Sequence, residues 1–291
     1  MKKIRVGQFS QSPVLLAIAY NDFLPEYHIE VINVLSSPAQ FGSLMKGDLD
    51  IALTSPDNVL LYATTPKNPL GEMCDLIMLR SIDRGLDLSL VSTPGITSPE
   101  ELLGATFSID SPASGFALLL NSMLRRLKVD ISKVTFIAAG STPKRLIHMI
   151  EGASQASILN AESKVQAEEK GFREWMSVVE VSPNYLGTAI CVERRHENRE
   201  EIQNFMGAWR RANDWLLDVS FSEYLEIFSE NASVLRSEKY FNLLHDPIHG
   251  LTRENALSLN SLQVLIKIRE ESNAYIPRTE QLSKLISNRY D

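Results

Sequence analysis

Apolar residues change period repeatedly along the first ninety positions. Ile4-Arg-Val-Gly-Gln-Phe9 reads as a strand, and Pro13–Phe23 carries apolar residues at helical spacing. His28–Val34 is again extended, and Pro38–Lys46 is helical and stopped by Gly47. Ile51–Thr54, Pro56–Ala63 and Asp75–Leu79 follow as strand, helix and strand. A turn at Asp83-Arg84-Gly85 then leads to a strand over Leu86–Val91. Strands that alternate with helices predict a mainly parallel sheet.

Pro94 and Gly95 mark Ser92–Ile96 as a crossing into a second unit. That unit reads as helix Pro99–Leu103, strand Thr106–Ile109, helix 112–128, strand Val134–Ala138 and helix Pro143–Glu151. Strand Ala156–Leu159, helix Ser163–Glu169 and strand Ser177–Ser182 complete it. Leu186–Val192 is expected to cross back. Beyond it the chain is helical: Ile202, Phe205, Met206, Trp209, Ala212, Trp215 and Leu216 form one apolar stripe, and Phe221–Ser229, Leu257–Arg269 and Gln281–Ile286 are further helices. The tail has no strand partner of its own, so it is expected to pack on the first half. The expected division is residues 1–91 plus 190–291 in one lobe and 92–189 in the other.

One local grammar recurs. Ser12-Pro13, Ser55-Pro56, Ser111-Pro112 and Thr142-Pro143 each follow a strand and open an apolar helix. A hydroxyl caps the helix and proline suits its first turn. Such helix starts present backbone N–H groups at the positive end of a dipole, which suits a carboxylate, sulfonate or phosphate. The stretch from Thr106 to Leu120 is the strongest copy, with Ser111 expected as the cap and Pro112 as the first helical residue. In open α/β sheets ligands bind beyond the carboxyl ends of strands. Four such turns therefore predict one cleft lined from two sides.

The remaining features narrow the class. The 291 residues carry a net charge of −7 and no cluster of Lys and Arg, which argues against nucleic acid. Cys74 and Cys191 are the only cysteines, too few for a disulfide framework or a zinc site. No apolar run reaches the ~18 residues of a membrane span. Met1-Lys-Lys-Ile enters a strand without a secretory apolar region, so either a cytoplasmic protein or one whose signal has been removed is expected. No metal or cofactor is called for, and a monomer is expected.

Five stretches carry a family resemblance. They are the opening strand with Gly7-Gln8, Phe41–Leu53, Asp110-Ser-Pro-Ala-Ser-Gly-Phe-Ala-Leu-Leu, Gly140-Ser-Thr-Pro-Lys-Arg and Ala156-Ser-Ile-Leu-Asn160. The chain resembles the type II periplasmic solute-binding fold, close to the nitrate/sulfonate/taurine substrate-binding group. The resemblance implies two α/β lobes joined by two crossing strands, closing on a small-molecule ligand at the hinge. It also implies an ABC-type transport system, with the transporter permease as a partner. The thiamine-pyrimidine synthases of the same family carry a cysteine-rich motif that a two-cysteine chain lacks.

Candidate ligand-binding residues lie at the strand–helix turns. They are Ser10, Gln11 and Ser12 after the first strand, Thr54, Ser55 and Asp57 after the third, and Ser111, Ser114, Gly115 and Phe116 at the central turn. Ser141, Thr142 and Asn160 end later strands, and Arg80 near the crossing offers a guanidinium fork to a planar anion. Each has a plainer role open to it: a cap, a dipole partner, a surface ion pair or core packing. No catalytic residue is assigned. An enzyme on the same fold, such as a lyase, a decarboxylase or a menaquinone-precursor dehydratase, is the alternative, with Asp57 and Asp110 as its carboxylates. The five histidines, none at a strand–helix turn, weigh against it.

Overall fold

The computed structural model describes residues 1–228 and 234–290. Among the described residues, ten strands form two five-stranded sheets. The first contains β1 (Lys2–Gln8), β2 (Tyr27–Asn33), β3 (Ile51–Thr54), β4 (Leu76–Asp83) and β10 (Thr188–Glu193), in the order β2-β1-β3-β10-β4. The second contains β5 (Ser89–Ser92), β6 (Thr106–Ile109), β7 (Thr135–Ala138), β8 (Ala156–Leu159) and β9 (Arg173–Ser177), in the order β7-β6-β8-β5-β9. One strand in each sheet runs against the rest. β10 pairs antiparallel with β3 and β4, and β5 pairs antiparallel with β8 and β9. These are the strands that follow the two crossings, so each enters its sheet from the far side.

The first crossing lies earlier than the sequence implied. The strand expected to close the first unit, Leu86–Val91, appears as β5 inside the second sheet, and residues 84–88 make the passage. Asp83 sets this geometry: its carboxylate accepts from the Gly85 N–H at 2.7 Å, and its carbonyl accepts from the Gly187 N–H of the return passage at 3.1 Å. Pro94 and Gly95 form a surface turn instead. The strand expected over Ser177–Ser182 ends at Ser177, which starts the short helix α7 (Val178–Val181) with Glu180 reaching back to its N–H. The helix expected at Pro99 is a single 3-10 turn, Pro99–Leu102.

Helices α1 (Pro13–Tyr20), α2 (Ser37–Lys46) and α3 (Pro56–Thr64) connect the early strands; α4 (Gly115–Arg126), α5 (Thr142–Ile150) and α6 (Ala161–Glu169) connect the later ones. Gly47 ends α2 at φ +76°, the left-handed position that glycine fills without strain. After β10 come α8 (Glu200–Asp218), α9 (Phe221–Glu226), α10 (Glu238–Leu244), α11 (Leu259–Glu271) and α12 (Thr279–Ser283). The α10 helix is not expected from the sequence. Part of the helix expected over Phe221–Ser229 lies outside the described residues.

The tail divides its packing. The α8 stripe of Ile202, Phe205, Met206, Trp209, Ala212 and Leu216 is buried in one core with Val14, Leu15 and Ile18 of α1 and the outer face of the first sheet. Its seventh member, Trp215, is only partly buried. By contrast, Leu262, Leu265 and Ile268 of α11 join a core that also holds Ala52 and Met78 of the first sheet and Phe107, Leu119 and Ile158 of the second unit. α11 therefore ties the two sheets together from behind, so the tail does not pack on the first half alone.

Candidate functional site

Five helices begin directly beyond strand ends and point their N-termini at one cavity between the sheets. Their caps are Ser12 for α1, Ser55 for α3, Ser114 for α4, Ser141 for α5 and Asn160 for α6, and all five line the cavity. The volume is about 150 Å³. A protein cavity of roughly that size can hold a molecule like benzene.

The two sides touch around it. Asn160 Nδ2 donates to Ser10 Oγ at 2.8 Å, and Ser37 Oγ donates to Asp110 Oδ2 at 2.9 Å. The Ser141 N–H donates to the Leu35 carbonyl at 3.1 Å. Gly140 makes that approach possible. Its φ is +84°, and a Cβ there would stand 2.7 Å from the same carbonyl oxygen. The lobes are thus closed.

The central turn differs from expectation. α4 starts at Gly115, not Pro112, and its cap is Ser114, whose hydroxyl accepts from the Ala117 N–H at 3.3 Å. Pro112 occupies a preceding turn in which the Ser114 N–H bonds the Ser111 carbonyl. Proline's φ serves the second position of a turn as well as the first turn of a helix, and here the turn takes it. Ser111 Oγ is left buried without a partner among the described residues and does not line the cavity.

Three other candidates lie off the cavity. Asp57 is held by Arg269 of α11 in a buried ion pair. Gly115 packs against Asp57, and its N–H reaches Asn58 Oδ1 at 3.4 Å. Arg80 is buried on β4 and donates to the Arg253 carbonyl. The structure does place Ser10, Gln11, Ser12, Thr54, Ser55, Ser114, Phe116, Ser141, Thr142 and Asn160 on the cavity wall.

The most telling wall residue is one that the sequence pattern does not single out. Arg145 stands one turn into α5 and is 2% exposed. Its Nη2 donates to Thr142 Oγ1 at 2.5 Å, but Nε and Nη1 have no partner among the described residues. Burial lowers its pKa to about 10, against an opposing pull from Asp110. Phe116 lies under the guanidinium at 5.8 Å. At the N-terminus of the same helix, Ser141 makes no capping bond. A guanidinium, a free hydroxyl and a helix N-terminus thus share one wall. The sequence held a signal for it: Arg145 is three residues after Thr142, so the two share a helix face.

The cavity wall also carries acidic groups. Asp83 is buried on the crossing, and that burial pushes its carboxyl up to about 6. Glu162, in the first turn of α6, is also raised by burial. Tyr240 of α10 stands near both carboxylates, and burial together with their charge raises its hydroxyl pKa. Leu251, farther along the tail, lines the cavity too and bridges to Asp83.

No family model matches the chain, and no curated protein matches it in sequence. Solved structures do match in shape. The alkanesulfonate-binding protein SsuA from Xanthomonas axonopodis pv. citri, solved bound to MOPS, aligns at TM-score 0.77 and 14% identity over 99% of this chain and 98% of its own. The periplasmic aliphatic sulphonate binding protein SsuA from Escherichia coli aligns at TM-score 0.67 and 15% identity over 99% and 92%. A Candida albicans protein described as having the generic periplasmic binding protein fold aligns at TM-score 0.67 and 12% identity over 99% and 96%. These likenesses establish the fold: two α/β lobes of the periplasmic-binding-protein type.

Proposed function

We propose that this chain is a binding protein for a small organic acid, enclosing it between the lobes and delivering it to a membrane transporter of the ABC type. The observation that carries the reading is Arg145. A buried guanidinium with two nitrogen atoms unpartnered among the described residues is costly, and a carboxylate, sulfonate or phosphate would satisfy both. Two of the structurally similar proteins are described as sulfonate-binding, which supports an acidic ligand and a transport role.

Native mass spectrometry of the purified protein tests the reading by seeking a co-purified acid. Arg145→Met should lose that adduct and stay folded. An adduct of equal abundance on the variant would refute the role given to Arg145. A second reading, an enzyme on this fold, draws on Asp83. A carboxyl raised to about 6 in a closed cavity suits general acid–base work. Conversion of the co-purified compound on incubation would favour it.

A further inference from the structure

We infer that the Leu86–Asp87 link in the first crossing is a strained spring that works against closure of the lobes. The inference concerns the protein's own conformational balance and does not depend on what the cavity binds.

Strain is the first argument. Three consecutive residues take positive φ: Gly85 at +99°, Leu86 at +40° and Asp87 at +55°. The Leu88 N–H closes the turn on the Gly85 carbonyl at 2.9 Å. A turn with both central residues at positive φ suits Asn-Gly or a glycine pair, not Leu-Asp. Aspartate tolerates this region, but a leucine there sets its Cβ against the following carbonyl oxygen. Leu86 also falls short of the left-handed basin, which centres near +57°. Outliers of this kind persist only where the surroundings impose them.

Placement is the second argument. The Arg84 and Leu86 N–H groups donate to the carbonyls of Gly250 and His249 at 3.1 and 2.9 Å, and the Leu86 side chain packs on the core of the first lobe. Asp87 is held from the other side. Lys164 of α6, only 4% exposed, pairs with Asp87 and, at 2.7 Å, with Glu174 of β9. Ser177 donates to the same Asp87 carboxylate at 3.2 Å, and Ser89 donates to the Asp87 carbonyl at 2.8 Å. Leu86 is thus fastened to one lobe and Asp87 to the other. Between the two anchorages lie only the Leu86 torsions and the Asp87 φ. The return passage meets this turn at a bare glycine: a Cβ on Gly187 would stand 2.6 Å from Gly85 Cα. Rotation of the lobes is therefore taken up at the link, and opening moves Leu86 out of the conformation that costs it most.

Pulsed electron spin resonance tests this on the unliganded protein, because Leu86 also lines the cavity. One label sits in each lobe, on the exposed positions Lys46→Cys and Glu169→Cys; the native cysteines are buried. The separation in this structure marks the closed population. Leu86→Gly removes the strain and should raise the closed-to-open ratio at least about threefold, a left-handed leucine's cost less glycine's extra freedom. Leu86→Ile keeps the same atoms but branches at Cβ, and should lower the ratio at least about threefold. Where the unsubstituted protein shows the closed separation alone, Leu86→Ile decides: a second, open population supports the inference, and its absence overturns it. Shifts of both variants in the same direction, or in neither, would likewise overturn it, since the link would then carry no strain against closure.

Discussion

Arg269 closes on Asp57 with two short bonds, Nε to Oδ1 at 2.6 Å and Nη2 to Oδ2 at 2.7 Å, although 212 residues separate them in the chain. Arg269 also donates to the Asp57 carbonyl and to that of Tyr275, so most of its guanidinium is satisfied. The pair fixes α11 of the tail to the start of α3. Replacing either partner by alanine strands a buried charge, and each single variant should lose about 3–5 kcal/mol. The double variant should cost clearly less than the sum. Urea denaturation of the three variants measures this. Additive losses would mean that the two residues stabilise the fold independently.

Gly115 belongs to the same cluster. A methyl group there would stand 2.6 Å from Asp57 Cβ and 2.9 Å from its Oδ2. Gly115→Ala should therefore push Asp57 off Arg269 and destabilise the fold by roughly 1–3 kcal/mol. In an Asp57→Ala background the penalty should shrink. A Gly115→Ala variant that melts like wild type would show that α3 and α4 can separate at no cost.

The sequence revealed most of the elements because periodicity and caps are local. The strand–cap–helix order placed α1, α3 and α5 within a residue or two at their starts. It misplaced the start of α4 because Ser111-Pro112 and Ser114-Gly115 both make sound beginnings, and only the approach to Asn58 selects the second. Partnership was illegible. Asp57 reads as a ligand contact because its partner lies in a helix with no sequence link to it. Arg145 escapes notice for a related reason. A lone arginine on a helix looks like a solvated charge until the fold buries it. Tyr240 and Glu162 meet only because α10 returns from the tail to α6.

Asp83 should give the fold a pH dependence of unusual sign. Its carboxyl rises from an ordinary value near 3.8 to about 6 in the folded protein, chiefly through burial. The folded state therefore holds the proton more tightly, and this contribution to stability is full below about pH 4 and is lost as pH climbs through 6. A tenfold tighter hold on the proton is worth about 1.4 kcal/mol, so the loss is on the order of 2–3 kcal/mol. Asparagine cannot ionise and can still accept from the Gly85 N–H. Asp83→Asn should thus gain stability relative to wild type between pH 4 and pH 7.5. Melting temperatures across that range decide it, and a constant difference would assign Asp83 a purely geometric role.

Arg145→Met separates binding from stability. Among the described residues the guanidinium has one side-chain bond, to Thr142, and two unpartnered nitrogen atoms in a buried setting. An apolar side chain of similar length removes that cost, so the unliganded variant should be as stable as wild type or up to about 2 kcal/mol more so. Affinity for an acidic ligand should fall at least tenfold, since a charge-assisted bond is worth roughly 1.5–3 kcal/mol. A loss of stability as large as the loss of affinity would mark Arg145 as a structural residue.

The closed arrangement should itself be an equilibrium. Near the cavity the lobes are joined by a few bonds: Ser10 with Asn160, Ser37 with Asp110, Leu35 with Ser141, and Asn58 with Gly115. Each contributes about 1 kcal/mol net, because water can replace it on opening. Opening by rotation at residues 84–88 and 182–187 would break these bonds while leaving both sheets and the Asp57–Arg269 pair intact. Asn160→Ala removes one of them without touching Arg145. Loss of about 1 kcal/mol should shift the closed-to-open ratio roughly fivefold toward open. Small-angle scattering should then give a larger radius for the unliganded variant than for wild type, and a saturating ligand should bring the two together. Identical radii in every state would mean that α11, which spans both lobes, holds them shut, and that ligand enters without lobe rotation.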